Sequence, residues 1–178
     1  MLEIEGLLDA ETVDRLRSAM RAGAAEAATV QGTAPERQVA PSARRSDRIE
    51  VAEETRAAVV GALEGLRPRI AHHFARALDE VEEPQFLRYG PGDYFVPHQD
   101  GNTPLIHDET RFRKVSVVIF LSAPAAYAGG DLVLHDGPPV TVAAAPGKLV
   151  AFPSETTHEV TPLTHGERLS VVSWYRGA

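Results

Sequence analysis

The chain has 178 residues, no cysteine and a formal net charge of −7. This length suits one ordinary domain, so we expect residues 1–178 to form a single domain. The absence of cysteine excludes disulfides and thiolate metal sites, and the negative charge disfavours nucleic acid as a general partner. The acidic start and the lack of a long apolar run predict a cytoplasmic protein without membrane attachment.

The first half of the chain predicts helices. Asp9 can cap a first helix, which the alanine-rich stretch to Ala28 can extend. Residues 29–48 lose all periodicity and predict a loop. Apolar residues from 51 to 66 recur at helical spacing and predict a second helix, and Pro68 predicts the first turn of another helix.

After Pro84 the pattern changes to short apolar or alternating runs that are separated by Pro and Gly. The runs are QFLRY, DYFVPH, KVSVVIFLS, DLVLHD, PVTVAA, GKLVAFP and ERLSVVSWY. Helices followed only by strands predict antiparallel sheets with the helices against one outer face. We therefore expect an α+β, mainly β chain, with a helical part at about 1–80 and a sandwich or barrel at about 85–176.

Metal-ligating residue types occur at two places. In YFVPHQD, His98 and Asp100 are two apart on a predicted strand, so both side chains should share one face while Gln99 points away. A His-x-Asp triplet alone more often marks a surface hydrogen bond. However, His158 in FPSETTHEV follows a later strand and can be brought beside the pair. Two imidazoles and one carboxylate leave three positions of an octahedral ion open, which favours a non-haem Fe(II) oxygenase.

Arg168 opens the last predicted strand and shares its face with Ser170 and Trp174. A buried arginine needs an anion, because an unpaired buried charge costs several kcal/mol. A dicarboxylate cosubstrate that chelates the metal at one end would supply that anion at the other. Tyr89 and Ser170 are placed to add hydrogen bonds.

Five stretches together resemble the prolyl 4-hydroxylase-like branch of the 2-oxoglutarate/Fe(II) dioxygenases. They are FLRYGPGDYFVPHQDGN, VSVVIFLS, AGGDLVLHD, APGKLVAFPSETTHEVTPL and ERLSVVSWY, and their order and spacing also match. The resemblance covers residues 85–175, about half of the chain. It implies a double-stranded β-helix of the jelly-roll, cupin-like type, with the N-terminal helices packed on one sheet.

The resemblance also implies cofactors and site residues. It implies that His98, Asp100 and His158 are the catalytic iron ligands, and that 2-oxoglutarate is bound by Arg168, Tyr89 and Ser170. The implied cofactor is Fe(II), with 2-oxoglutarate and O2 as cosubstrates and ascorbate as a further candidate. The implied reaction hydroxylates an unactivated C–H bond and releases succinate and CO2.

The resemblance favours a prolyl residue of a protein or peptide as the substrate. Phe120 departs from the pattern, because some protein-directed relatives have a second cosubstrate-binding tyrosine there. A free amino acid, another small molecule or a nucleobase therefore stays open as the substrate, and so does a non-catalytic barrel that binds a metal or ligand. The sequence carries no signal for an oligomeric state.

Two polar segments are candidates for contact with the substrate. The loop 101–114 is long and directly follows Asp100, so we expect it to contact the substrate. Arg44 and Arg45 are expected to form a solvated surface pair, and the alternative is that their segment folds over the mouth of the site.

Overall fold

A computed structural model describes residues 1–29, 42–104 and 106–178. Within these residues the helices are α1 (Ala10–Ala22) and α2 (Glu53–Phe74). The strands are β1 (Leu2–Ile4), β2 (Ala25–Ala27), β3 (Arg44–Arg45), β4 (Asp47–Ile49), β5 (Glu80–Val81), β6 (Gln85–Tyr89), β7 (Tyr94–His98), β8 (Arg113–Phe120), β9 (Tyr127–Gly129), β10 (Leu132–Leu134), β11 (Val140–Thr141), β12 (Leu149–Pro153), β13 (His158–Val160), β14 (Leu163–Gly166) and β15 (Arg168–Arg176). The predicted class, mainly β with N-terminal helices, is confirmed.

Two antiparallel sheets face each other. The larger sheet has the order β1-β12-β8-β15-β6-β4-β2, with β5 also paired to β15, and the smaller has the order β11-β10-β13-β7-β3. Val118 and Phe152 of the larger sheet pack against Leu132 and Leu134 of the smaller one, so the two inner faces share a buried core. This arrangement is the expected double-stranded β-helix, and β9 and β14 form a further two-stranded ribbon.

The helices cover the outer face of the larger sheet, as predicted. Met20 of α1 and Leu63 and Ile70 of α2 are fully buried in one cluster with Val117 and Val171 of the sheet. Because side chains alternate along a strand, the neighbours of Val171 in β15 point to the other face, toward the interior between the sheets. Within the described residues, neither helix combines the length and the apolar character that crossing a membrane requires.

The alanine-rich stretch after α1 is not helical, contrary to the prediction that reached Ala28. The helix ends at Ala22, and β2 extends the larger sheet by pairing with β4. Gly23 allows this change of direction, because a Cβ at that position would lie 2.1 Å from the backbone oxygen of Glu50. Sheet pairing therefore outweighs the high helix propensity of alanine.

The prediction of two helices between residues 51 and 78 is also wrong, because α2 is one continuous helix that has Pro68 inside it and ends at Phe74. An interior proline costs about 3 kcal/mol, since it removes one backbone hydrogen bond and crowds the preceding turn. Leu63 and Ile70 lie on either side of Pro68 and are both buried in the same core. Burial of these two side chains offsets the cost of the proline.

The segment 29–48, predicted as a loop, contributes strands where the structure describes it. β3 pairs with β7 of the smaller sheet and β4 pairs with β6 of the larger one. Residues 30–41 of this segment and Leu105 of the loop 101–114 lie outside the described residues. Strands of two or three residues are too short to show a period in the sequence, so the prediction missed them.

The first strand is attached to the larger sheet by backbone pairing and by charge. β1 pairs with β12, and the buried ammonium of Lys148 lies 3.2 Å from a carboxylate oxygen of Glu3 and 3.1 Å from one of Glu5. Lys148 also donates to the backbone oxygen of Ala143. Burial alone would lower the pKa of Lys148, but the two carboxylates outweigh it and raise the pKa.

We predict that Leu63→Ala destabilises the protein by about 2–5 kcal/mol, because it leaves a cavity between α2 and the sheet. Urea denaturation followed by circular dichroism measures the change. Gly61→Ala is the matched control on the same helix: its added Cβ meets no atom within 4 Å. It should stabilise by about 0.5–1 kcal/mol, since alanine restricts the unfolded chain. Equal stabilities of Leu63→Ala and the wild type would contradict the packing described above.

Candidate metal centre and cosubstrate pocket

The three predicted metal ligands converge at the inner face of the smaller sheet. β7 ends at His98, β13 begins at His158, and these two histidines lie opposite each other in the strand pairing. Asp100 lies beyond the end of β7, where the prediction had continued the strand, and its backbone N–H donates to the oxygen of Ser154. One ligand atom from each of His98, Asp100 and His158 lies within 4.8 Å of the others, so the three can hold one metal ion.

Backbone contacts orient both imidazoles. Nδ1 of His98 lies 2.8 Å from the oxygen of Val96, and Nδ1 of His158 lies 2.9 Å from the oxygen of Thr156. A carbonyl oxygen only accepts, so each Nδ1 carries the proton and each Nε2 has its lone pair free. This is the tautomer that a histidine needs to bind a metal through Nε2.

The Asp100 carboxylate is held in its charged form. Burial by itself raises the pKa of Asp100, but the nearby imidazoles of His158 and His98 and the guanidinium of Arg113 outweigh burial and lower the pKa. The hydroxyl of Ser116 donates to Oδ2 of Asp100 at 2.7 Å. Asp100 is therefore an oriented anion at neutral pH.

Burial has the opposite consequence for His158. It lowers the pKa of this imidazole, against the attraction of Asp100, and the proximity of His98 lowers the pKa further. A neutral imidazole is the form that binds a metal. The donor set of two imidazoles and one carboxylate fits Fe(II) chemically.

Hydrogen bonds join the two loops that carry the ligands. Gln99 points away from the ligands, as predicted, and its Nε2 donates to the backbone oxygen of Glu155 at 2.6 Å. The side chain of Glu155 accepts from Asn102 and pairs with Arg76 of the segment after α2. Strand pairing holds His98 beside His158, and these contacts outside the pocket hold the segment of Asp100 to the segment that precedes His158.

Arg168 enters the same pocket from the larger sheet. It is 2 % exposed, and its NH1 donates to the hydroxyl of Ser170 at 3.1 Å. Its Nε is buried without a hydrogen-bond partner, and none of the described acidic side chains forms an ion pair with it. Its guanidinium carbon lies 5.2 Å from the ring centre of Tyr89 and 5.6 Å from that of Phe120. This cationic pocket fits a carboxylate.

Trp174 lines the pocket on the same strand face as Arg168, as the sequence predicted. The guanidinium of Arg113 lies 3.6 Å from the ring centre of Trp174 and pairs with Glu82 at 2.7 Å. Arg113 was predicted in the loop 101–114 but is the first residue of β8, and its charge is compensated by Glu82. Contact between that loop and a substrate stays a prediction.

A second, larger cleft of about 380 Å³ lies near the far end of β15. Of its four acidic side chains, Glu80, Glu82 and Glu109 pair with Arg176, and Glu83 pairs with Arg48. None of the described residues that line it is a histidine, and each of these carboxylates already pairs with an arginine. The smaller pocket between the sheets, which holds the predicted ligands, is therefore the candidate site.

Sequence reasoning missed or misjudged three residues at this pocket. Ser116, a polar residue in the apolar run VSVVIFLS, was the one with a visible signal. Phe95, whose ring stacks on that of His98 with the ring centres 3.5 Å apart, had no signal beyond its position. Arg44 was expected at the surface with Arg45, but it is 7 % exposed and lines the pocket, because β3 alternates its side chains.

Comparison with known proteins identifies the family. A family model described as the 2OG-Fe(II) oxygenase superfamily matches residues 84–176. A PKHD-type hydroxylase of Burkholderia thailandensis is 34% identical over 179 aligned residues, which cover 98% of this chain and 77% of that protein. A PKHD-type hydroxylase of Paraburkholderia xenovorans is 30% identical over the same shares of both chains.

Solved structures show the same fold. A prolyl-4-hydroxylase of Pseudomonas putida has a TM-score of 0.77 and 26% identity, with 99% of this chain and 92% of that chain covered. A Trichoplax adhaerens prolyl hydroxylase, solved with a fragment of hypoxia inducible factor, has a TM-score of 0.76 and 16% identity, with 98% and 82% covered. The chain therefore belongs to the 2OG-Fe(II) oxygenase superfamily and is a dioxygenase of its prolyl 4-hydroxylase-like branch.

Proposed function

We propose that this dioxygenase hydroxylates an unactivated C–H bond of a prolyl residue in a protein or peptide and releases succinate and CO2 from 2-oxoglutarate. The observation that carries the proposal is the meeting of His98, Asp100 and His158 in one pocket with Arg168, which pairs with no acidic side chain in the part of the chain that the structure describes. The names of the relatives, PKHD-type hydroxylases and a prolyl-4-hydroxylase, support proline as the target.

In this proposal His98 and His158 hold Fe(II) through Nε2, and Asp100 holds it through a carboxylate oxygen. Bound iron supplies the activation of O2, coupled to the oxidative decarboxylation of 2-oxoglutarate. Arg168 pairs with the distal carboxylate of 2-oxoglutarate, and Ser170 orients the guanidinium that does so. Tyr89 lies beside that guanidinium.

The remaining lining supports an apolar target. Phe95, Leu132 and Val160 line the pocket together with the metal ligands. Such side chains exclude water from the reacting atoms and give an aliphatic ring favourable contacts. No side chain would have to act as a general base, because bound iron would supply the chemistry that breaks the C–H bond.

The second candidate is the same chemistry on a free amino acid or another small molecule, and a nucleobase is the third. Phe120 favours these over a protein substrate, because it departs from the tyrosine of some protein-directed relatives. Ascorbate as an accessory cofactor, a cytoplasmic location and a single domain over residues 1–178 stay predictions from the sequence.

We predict that His98→Ala abolishes stoichiometric metal binding, because one imidazole and one carboxylate remain. Anaerobic titration with Fe(II), or with Co(II) followed by its visible absorption, measures the stoichiometry. His72→Ala is the control, since that imidazole lies exposed on α2. One equivalent of tightly bound metal in His98→Ala would show that the ligands are misassigned.

Arg168→Ala should weaken 2-oxoglutarate binding by at least about tenfold, since a hydrogen bond to a charged group contributes roughly 1.5–3 kcal/mol. Metal stoichiometry should not change. Arg168→Lys keeps the charge but loses the planar guanidinium that can form two hydrogen bonds to a carboxylate. Its affinity for 2-oxoglutarate should therefore lie between those of the wild type and Arg168→Ala. Calorimetric titration of the metal-loaded protein measures all three affinities, and an unchanged affinity in Arg168→Ala would contradict the assigned role.

Proline-containing peptides should increase succinate release from 2-oxoglutarate, and the product should gain the mass of one oxygen atom on proline. Mass spectrometry of the peptide and quantification of succinate provide the two readouts. Stimulation only by compounds that lack proline would leave the oxygenase chemistry intact and refute the substrate. Asp100→Ala, which should lose metal, is the inactive control for both measurements.

A further inference from the structure

Arg44 occupies a position in the site that the proposed chemistry does not use. β3 pairs with β7 so that Arg44 lies opposite Phe95 and Arg45 opposite Tyr94. The side chain of Arg45 is 55% exposed, whereas Arg44 is 7 % exposed and lines the pocket that holds the metal ligands. Arg44 thus enters from the smaller sheet, and Arg168 enters from the larger sheet.

The charge of Arg44 is not compensated by the described part of the chain. Its Nε donates to the hydroxyl of Ser46 at 2.9 Å, and its NH1 donates to the backbone oxygen of Thr29 at 3.2 Å. Both acceptors are neutral. Three arginines are buried among the described residues: Arg113 pairs with Glu82, whereas Arg44 and Arg168 form no ion pair with any described acidic residue. A buried cation in this state fits an anionic ligand.

The proposed metal and cosubstrate do not compensate the positive charge of Arg44. Fe(II) carries two positive charges and 2-oxoglutarate carries two negative ones, so they compensate each other. Asp100 adds one negative charge and Arg168 one positive charge, so these four groups together sum to zero, and the two histidine ligands bind as neutral imidazoles. Arg44 then remains as an unpaired cation in the loaded site, and the other molecule that enters this pocket is the substrate that is to be oxidised.

Arg44 also lies close to the reacting centre. Its guanidinium carbon is 4.9 Å from the ring centre of Phe95, and the same ring stacks on the imidazole of His98. A group bound by Arg44 is therefore separated from a metal ligand by one aromatic ring. The carbon that is hydroxylated must then lie within a few bonds of the group that Arg44 binds.

On the basis of the proposed oxygenase chemistry, and independently of whether its substrate is a peptide, we infer that Arg44 binds a free carboxylate of the substrate. The substrate is then a free amino acid such as proline, or the C-terminal residue of a peptide, since both carry a carboxylate next to the ring or side chain. An internal prolyl residue offers only neutral amide carbonyls to Arg44 and should bind less well. Arg44 is a specificity-determining residue in this scheme.

The test compares acids with their amides under anaerobic conditions, with Fe(II) and 2-oxoglutarate bound so that Arg168 is already occupied. The ligands are the free amino acids, including L-proline, and acetylated dipeptides ending in proline, each as the acid and as the C-terminal amide. Calorimetry should find at least one acid that binds the wild type about tenfold more tightly than its amide. Tighter binding of a free amino acid would identify a free amino acid as the source of the carboxylate, and tighter binding of a dipeptide would identify the C-terminus of a peptide.

Arg44→Gln should remove the preference for the acid, Arg44→Lys should keep part of it, and the exposed neighbour Arg45→Gln should keep all of it. Thermal unfolding of each variant establishes that it is folded. Wild-type protein that binds no acid better than its amide, or Arg44→Gln with an undiminished preference, would overturn the inference. Oxygen transfer to internal prolines without any acid preference would overturn it while leaving the proposed function standing.

Discussion

The strand register between β7 and β13 is the constraint on which the metal site depends. It sets His98 opposite His158, and the Nδ1 atoms meet the carbonyls of Val96 in β7 and of Thr156, two residues before β13. A shift of one residue would turn an imidazole to the other face of the sheet. The geometry of the metal-ligating side chains thus depends on backbone pairing, and the packing between the two sheets supports that pairing.

Much of the site could be predicted because its signals are local in the sequence. The spacing of His98 and Asp100, the position of His158 after an apolar strand, and the alternation that turns Arg168 inward are each visible within a few residues. The longer strands β6, β8, β12 and β15 were predicted for the same reason, since five or more residues show a period. The structure places these side chains together in one pocket.

The errors arose where a partner distant in sequence decides the conformation. β2 and β3 consist of residues that have no strand pattern of their own and become strands because β4 and β7 offer an edge. Pro68 stays inside α2 because the sheet beneath the helix is continuous. β3 forms by pairing with β7, and the same pairing places Arg44 in the pocket. The prediction of a loop and the prediction of a surface position for Arg44 were therefore wrong for the same reason.

The attachment of β1 has a consequence for self-association. Without β1, the strand β12 would be the edge of the larger sheet and would present unpaired backbone N–H and C=O groups to other molecules, a known template for aggregation. Lys148, clamped between Glu3 and Glu5, would also lose both countercharges. The first residues do not line the pocket, but they replace the five-residue edge of β12 by a three-residue one and so shorten the row of unpaired backbone groups with which another copy could pair.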